Sequence, residues 1–226
     1  MPNELLWILF ALINFILFLM CYKLFGKTGV VAWIAIATIL ANIQVMKQIT
    51  LFGLEATMGN IMYGTIFLAT DALSEKYGKK ASNRAVYLGF FVLAASIIIM
   101  QLALVFEPNL YDTAQPHLEA VFGFYLRVAV ASLIAYLISQ LLDVYLFHKI
   151  KDRLPGRKWL WVRNNVATII SQLFDTMIFV TIAFLGTMES SVFWQIALST
   201  FLIKVMVAAL DTPFVYLVGK IKPLNE

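Results

Sequence analysis

The sequence predicts an all-α, polytopic integral membrane protein, and three observations lead to this fold class. Of its 226 residues, 62% are hydrophobic and only 13% are charged, whereas about half of a soluble domain is apolar and about a quarter is charged. The apolar residues form runs long enough to cross the roughly 30 Å hydrocarbon core of a bilayer as helices. The lysines and arginines are concentrated between alternate runs, a pattern that orients membrane helices. We therefore expect lipid to cover the apolar surface.

Seven apolar runs give the predicted spans of one transmembrane domain over residues 1–226. The first run precedes its lysines, Lys23 and Lys27, and is therefore typical of a retained helix and not of a cleaved leader. The third run is short and interrupted by glycines, so a re-entrant or an interfacial course is open for residues 47–59. The predicted spans are 5–22, 30–46, 60–73, 85–106, 121–147, 164–186 and 193–218.

The charges between the spans predict the orientation of the protein. Lysines and arginines follow the first, third, fifth and seventh spans, whereas the alternate loops carry acidic residues such as Glu107 and Glu189. The positive-inside rule then places the N-terminus outside and the C-terminus in the cytoplasm, in the cytoplasmic (inner) membrane. Because the basic residues have this role, the net charge of +4 gives no reason to expect a nucleic-acid partner, and the lipid bilayer is the expected one.

A short internal repeat lies on two consecutive spans. The segment ISQLLD at residues 138–143 recurs as ISQLFD at residues 170–175, and the two helices run in opposite directions. Many transporters descend from inverted repeats and bind their substrate where the repeats meet. The repeat therefore favours a transporter, with chance recurrence in an apolar sequence as the alternative interpretation.

Ionisable residues inside the predicted spans are the strongest functional signal. Each costs about 2.5–3.5 kcal/mol near the centre of a membrane helix, so a protein without polar cargo has little reason to carry them. Asp175 and Lys204 lie at matching depths of roughly 16 Å on consecutive helices, and we expect them to form an ion pair near the midplane. A purely structural role is the rival interpretation, and it is strongest near the span ends. The six residues are Asp71, Arg127, Asp143, Asp175, Lys204 and Asp211.

Polar side chains at helical spacing accompany these charges on four spans and predict a lined cavity, with hydrogen-bonded helix packing as the alternative. Carboxylate, amide and ammonium groups beside aromatic rings are compatible with a planar, polar heterocycle, since a carboxylate can accept from two adjacent donors and aromatic rings can stack. The four stripes are Asn60, Gly64, Phe67, Asp71 and Ser74; Ser132, Tyr136, Ser139, Gln140 and Asp143; Asn165, Thr168, Gln172 and Asp175; and Thr200, Lys204 and Asp211.

Other classes of function are less compatible with the sequence. Cys21 is the only cysteine, and both histidines, His117 and His148, lie in predicted loops, so we expect no metal site and no cofactor. The sequence contains no zinc-protease, nucleophile-elbow or P-loop motif, which argues against an enzyme. A membrane scaffold would not need charges at the midplane.

Several segments together resemble the queuosine precursor transporters, also called the vitamin uptake transporter family. They are Phe67–Asp71 (FLATD), Leu126–Ala129 (LRVA), Gln140–Val144 (QLLDV), Asp175-Thr176 and Lys204-Val205. The resemblance implies a six-helix core over residues 30–218, with the helix 5–22 as an addition. It also implies import of a 7-deazaguanine base, such as the cyano or aminomethyl precursor of queuosine, or queuine.

The resemblance also supplies candidate substrate-binding residues. Those carried over from the family are Asp71, Arg127, Gln140, Asp143, Asp175 and Lys204, and the polar stripes add Asn60, Phe67 and Gln172. Some family members have asparagine where this chain has Gln172, and Asp211 has no counterpart in the family pattern. These departures leave the cargo open. The alternative within transport is a substrate-binding subunit of the energy-coupling-factor type, which needs a separate ATPase. The energy source and the oligomeric state, a homo-oligomer included, are also open.

Overall fold

The computed structural model describes residues 2–123, 126–186 and 189–224. The described chain is helical over most of its length, which confirms the all-α class. In chain order the helices are α1 (Asn3–Gln44), α2 (Gly59–Lys76), α3 (Gly78–Ala103), α4 (Gln115–Phe122), α5 (Leu126–Arg153), α6 (Leu160–Phe184) and α7 (Ser190–Lys220), with a 3₁₀ turn at Arg157–Trp159.

Helix α1 contains the first two predicted spans, and the chain reverses its direction between them at Gly26. The backbone there takes φ 55° and ψ −138°, a conformation that glycine adopts without the steric penalty of a Cβ. The rings of Phe18 and Trp33 then meet at 6.0 Å between centroids, whereas an uninterrupted helix would hold them roughly 20 Å apart. The segments before and after Gly26 are therefore antiparallel crossings, as predicted.

Helix α2 is longer than the predicted span 60–73, and nearly all of its side chains are buried in the bundle. It packs closely on α7 at Gly64, where a Cβ would lie 2.2 Å from Cγ1 of Val207. Because protein and not lipid surrounds α2, the helix needs no continuous apolar surface. This position explains why its apolar run is the shortest of the seven.

Five of the described helices, α1, α3, α5, α6 and α7, are long and apolar enough to cross a membrane. With α1 folded into two antiparallel segments and α2 enclosed by the others, the bundle has the multi-pass architecture that the sequence predicts. Most of the helices extend beyond the apolar runs by a turn or more, since their polar end turns need no lipid around them.

The segment between α1 and α2 forms a β-hairpin that the sequence did not reveal. Strands β1 (Gln48–Leu51) and β2 (Leu54–Thr57) pair antiparallel around a turn at Phe52 and Gly53, which both have positive φ. The backbone N–H of Phe52 donates to Glu4 Oε1 over 3.2 Å, and the Phe52 ring packs edge-on against Trp7. Residues 47–59 therefore cover the end of the bundle at which α1 begins.

The predicted fifth span, 121–147, is wrong at its start. Val121 and Phe122 belong to the short helix α4, which ends at Gly123, and α5 continues to Arg153. Residues 124 and 125 lie outside the described residues. The apolar residues of α4 adjoin the apolar run of α5 in sequence, so hydropathy alone could not separate the two helices.

All four basic segments meet at one end of the bundle, which we call the basic end. Lys76 Nζ donates to the carbonyl of Ile221 over 3.1 Å, and the backbone N–H of Leu224 donates to the carbonyl of Lys23 over 2.9 Å. Lys151 forms a 2.9 Å ion pair with Glu75. The predicted grouping of the basic loops on one side is confirmed, and the β-hairpin and α4 lie at the opposite end.

Candidate functional site

The two copies of the internal repeat form reciprocal hydrogen bonds between α5 and α6. Ser139 Oγ lies 2.9 Å from Asp175 Oδ1, and Ser171 Oγ lies 2.9 Å from Asp143 Oδ1. Because the helices are antiparallel, the serine of each copy meets the aspartate of the other, as a local two-fold axis requires. The repeat is therefore a structural unit that places one carboxylate on each side of the contact between the two helices.

The predicted ion pair between Asp175 and Lys204 is confirmed. Lys204 Nζ donates to Asp175 Oδ2, and the two side chains are only 7% and 11% exposed. The ammonium group also lies 5.7 Å from the centre of the Tyr63 ring, a distance at which a cation is attracted by an aromatic face. Asn42 Nδ2 donates to the Tyr63 hydroxyl over 3.3 Å. We call Ser139, Asp175, Lys204, Tyr63 and Asn42 the ion-pair group.

A cavity adjoins the ion-pair group on the side of the β-hairpin. It has a volume of about 60 Å³ and lies between the second half of α1 and helices α3, α4 and α5. Asn42 belongs to both the cavity wall and the ion-pair group, and Ser132 lines the cavity two turns along α5 from Ser139. Small-molecule sites have volumes of about 300–1,000 Å³, so the helices around this cavity must move apart before a bicyclic base fits.

Three further carboxylates lie nearer the basic end. Asp71, Asp143 and Asp211 are at most 1% exposed, and no salt bridge reaches any of them among the residues that the structure describes. Asp211 Oδ1 accepts a 2.9 Å hydrogen bond from Asn164 Nδ2. The carboxyl groups of Asp71 and Asp143 lie within hydrogen-bonding reach of each other. We call Asp71 and Asp143 the carboxyl pair.

Several buried polar atoms around these groups have no hydrogen-bond partner among the residues that the structure describes, although such atoms are nearly always paired in folded proteins. Gln140 accepts from Thr70 Oγ1 over 3.2 Å but leaves its amide nitrogen without an acceptor. Gln172 leaves its amide oxygen without a donor. The unpartnered atoms of this region include Asn60 Nδ2, both Asp71 oxygens, Gln140 Nε2, Asp143 Oδ2, Asn164 Oδ1, Gln172 Oε1, Thr176 Oγ1 and Asp211 Oδ2. The region is therefore equipped to bind a group with both donors and acceptors.

An ion-pair cluster closes the basic end. Arg163 is fully buried, and its Nη2 donates to both Glu75 oxygens over 3.0 and 2.9 Å. Its Nη1 donates to the carbonyls of Leu154, Pro155 and Gly156, and Lys151 pairs with the same Glu75. We call Arg163, Glu75 and Lys151 the basic-end cluster. It lies between the carboxyl pair and the solvent at this end.

The structure brings most of the predicted site residues together but not all. Asn60 and Phe67 lie on the buried face of α2. Arg127 lies apart, exposed at the opposite end, where its guanidinium donates to the carbonyls of Ile182 and Leu185. On α6 the predicted stripe is one residue off at its start, since Asn164 is buried whereas Asn165 bonds Thr212 at the margin.

Sequence reasoning missed three contributors. Arg163 and Glu75 lie beside basic loop residues, so nothing in the sequence indicated that Arg163 is buried against Glu75. The one available sign was that Glu75 is a single acid one turn after Asp71. Tyr63 lies one residue before Gly64 of the predicted α2 stripe, so it was not assigned to a polar face. The contact that gives it a role, with Lys204, depends on tertiary packing.

Comparisons with known proteins give a consistent family. The family model described as "Putative vitamin uptake transporter" matches residues 57–218. A "Probable queuosine precursor transporter" of Bacillus subtilis (strain 168) is 49% identical over 226 residues, which is 100% of this chain and 99% of that protein. The "Queuosine precursor transporter" of Escherichia coli (strain K12) is 26% identical over 174 residues, 74% of each chain.

A third relative, a "Probable queuosine precursor transporter" of Haemophilus influenzae (strain ATCC 51907 / DSM 11121 / KW20 / Rd), is 29% identical over 59% of this chain and 54% of its own length. No solved structure matches the chain. The family model covers most of the chain and the Bacillus relative covers all of it, including the α1 segment that precedes the matched region. The resemblance seen in the sequence is therefore confirmed, and the chain belongs to the vitamin uptake transporter family, which includes the queuosine precursor transporters.

Proposed function

We propose that this protein imports a 7-deazaguanine base, a precursor of queuosine or queuine itself, across the cytoplasmic membrane. Relatives at 49% and 26% identity carry the name queuosine precursor transporter, which supports the cargo class. The observation that supports this cargo most directly is the set of buried donors and acceptors that have no partner among the described residues of α2, α5 and α6. A cargo of this class offers a matching set of donors and acceptors on a flat, stackable ring.

We assign cargo binding to Asp175, Lys204, Gln140 and Gln172, with Tyr63 as the stacking partner. Asp175 can accept from two adjacent N–H donors, and Lys204 can donate to a ring carbonyl. The free amide nitrogen of Gln140 and the free amide oxygen of Gln172 add one donor and one acceptor. The two glutamines lie next to Ser139 and Ser171 in the repeat, so the cargo would bind where the two copies meet.

Purified protein in detergent should bind 7-deazaguanine bases more tightly than adenine, because a site built for particular donors and acceptors rejects a base that leaves them unpaired. Calorimetric titration with queuine, its cyano and aminomethyl precursors, adenine, riboflavin and biotin measures this preference. Gln172→Ala should weaken binding about tenfold, the effect of losing one buried hydrogen bond. Asn165→Ala, an amide on the same helix outside the proposed site, is the matched control. Tight binding of riboflavin or biotin, with no binding of the deazaguanines, contradicts the assignment.

We also propose that the basic end faces the cytoplasm, so that the cavity opens outward and the N-terminus lies outside. The asymmetry of lysine and arginine between the two ends supports this orientation. Leu110→Cys and Gly156→Cys, each with Cys21→Ser, place single thiols at opposite ends. Leu110 is fully exposed, and a Cβ at Gly156 meets nothing closer than 3.7 Å. In intact cells a membrane-impermeant maleimide should label position 110 and spare position 156, and the reverse pattern means that the orientation is inverted.

A further inference from the structure

We propose that the carboxyl pair, Asp71 and Asp143, is a proton-binding site and that a proton bound there moves inward with the cargo. The proposal rests on the transport function proposed above and adds the ion that drives it. It concerns residues that the cargo assignment does not use, on α2 and on the half of α5 nearer the basic end.

The geometry of the pair requires a proton. Both side chains are 0% exposed, and their carboxyl groups lie within hydrogen-bonding reach of each other. Two ionised carboxylates are acceptors only, so neither can donate to the other. Two negative charges this close and shielded from water repel strongly, and such pairs share a proton. Both Asp71 oxygens lack a partner among the described residues, and a hydrogen on one of the two groups provides a partner for one of them.

No positive side chain takes the place of that proton among the described residues. On α7 the nearest charged groups are Asp211, a further carboxylate, and Lys204, which is bound to Asp175. On α2 the next acid is Glu75, and the cations near it, Arg163 of α6 and Lys151 of α5, are bound to Glu75.

The other neighbours of the pair are neutral. Helix α6 contributes Ser171 and Thr168 beside Asp143, and α3 contributes the hydroxyl of Ser82, which bonds Ser74 and the carbonyl of Thr70. Lys76, also on α2, is exposed and donates to the carbonyl of Ile221. The surroundings of the pair are therefore neutral or negative apart from cations bound to other groups, which favours a proton on the pair.

The pair has neighbours that suit either protonation state. Ser171 Oγ lies 2.9 Å from Asp143 Oδ1 and 2.8 Å from the carbonyl of Ala167. Its single hydrogen can point to the ionised carboxylate, or to the carbonyl while its oxygen accepts from the protonated acid. Gln140, fully buried and one turn before Asp143, bonds Thr70 beside Asp71 and leaves its Nε2 unpartnered. Because Gln140 is also one of the proposed cargo contacts, it joins the carboxyl pair to the cargo site.

A proton fits this site better than a metal ion. No group of three or more histidine, cysteine, aspartate or glutamate residues converges on one point in the part of the chain that the structure describes. Asp211 bonds Asn164 and does not complete a metal coordination sphere with the pair. The carboxyl pair therefore has the chemistry of a shared proton, which needs only two oxygens.

The reciprocal bonds of the repeat connect the carboxyl pair to the cargo site. Helix α5 carries Asp143 and presents Ser139 to Asp175, while α6 carries Asp175 and presents Ser171 to Asp143. A shift of one helix against the other changes both bonds at once. Loss of the proton from Asp143 and loss of the cargo from Asp175 therefore bias the same movement, which is the requirement for coupled transport.

The test uses the purified full chain in proteoliposomes with the labelled cyano precursor, which has no aliphatic amine and is neutral near pH 7. For one proton per neutral cargo molecule, an outside-acid gradient of one pH unit should drive accumulation of about tenfold in the wild type. Asp71→Asn and Asp143→Asn, which resemble the protonated acid, should still exchange internal for external cargo but lose the gradient-driven accumulation. Asp152→Asn, an exposed carboxylate at the basic end, is the control and should accumulate cargo like the wild type.

A second measurement is independent of cargo. Dicyclohexylcarbodiimide modifies protonated carboxyl groups in apolar surroundings, so it should label Asp71 or Asp143 of the wild type, with less labelling as the pH rises. Exchange of cargo without gradient-driven accumulation and without labelling overturns the proton site and leaves the transport function in place. Labelling without any exchange of a deazaguanine supports the proton site and contradicts the proposed cargo. If the asparagine variants fail to fold, the labelling of the wild type decides.

Discussion

Lys204→Met should destabilise the protein by about 3–5 kcal/mol, because it leaves the Asp175 carboxylate buried without its counter-ion. Ser139 still donates to Asp175, but one neutral hydrogen bond does not replace an ammonium group. Asp175→Asn should cost a similar amount for the opposite reason, since it strands the ammonium of Lys204 with only the face of Tyr63 beside it. Melting temperatures of both variants in one detergent measure these effects.

The double variant separates a functional pair from a structural one. Asp175→Asn with Lys204→Met removes both charges, so most of the lost stability should return. Transport should not return if the two groups bind cargo, because the amide cannot accept two hydrogen bonds side by side. A double variant that regains both stability and uptake means that the pair only holds α6 and α7 together. Unchanged cargo affinity in Asp175→Asn alone removes this residue from the site.

The sequence predicted those parts of the fold that depend on apolar length and on charge. The crossings, the grouping of the basic segments and the Asp175–Lys204 pair all follow from residue spacing along regular helices. The two spans on either side of Gly26 belong to one helix with a sharp bend. Both crossings were still predicted, because hydropathy depends on contact with lipid and not on whether the helix is continuous. The β-hairpin was missed because each strand has only four residues, although polar and apolar residues alternate along both, with Ile49 and Leu51 in the first and Leu54 and Ala56 in the second.

The candidate site was predicted as a set of helix faces, and the structure divides that set. Sequence spacing shows which polar residues share a face, but not which faces meet or at what height. The separation of the carboxyl pair from the ion-pair group depends on how far α2 and α7 are displaced along α5 and α6. Arg127 shows a second limit of sequence spacing. It was grouped with the cargo residues because it is a charge near a helix end, but such a charge can equally bind carbonyls, as Arg127 does at the end of α6.

Arg163→Lys should destabilise the protein by about 3 kcal/mol or more, although the charge is kept. The guanidinium is fully buried and donates at once to both oxygens of Glu75 and to three carbonyls of the loop after α5. An ammonium group has no planar fork for this geometry, so several of these acceptors, which are only partly shielded from water, lose their donor. Lys151→Met is the control, because Lys151 is 29% exposed and partly exposed ion pairs contribute about 0–1 kcal/mol.

The same change should open the basic end. Arg163, Glu75 and Lys151 join α2, α5 and α6 between the carboxyl pair and the solvent, so loosening them exposes the faces that they cover. A single cysteine at Ser74, which is fully buried one residue before Glu75, should react slowly with a soluble maleimide in the Cys21→Ser background. Its rate should rise several-fold when Arg163→Lys is added and change little with Lys149→Met, which alters an exposed lysine of the same end outside the cluster. Equal rates in all three backgrounds, with a wild-type melting temperature for Arg163→Lys, mean that the cluster neither stabilises nor closes this end.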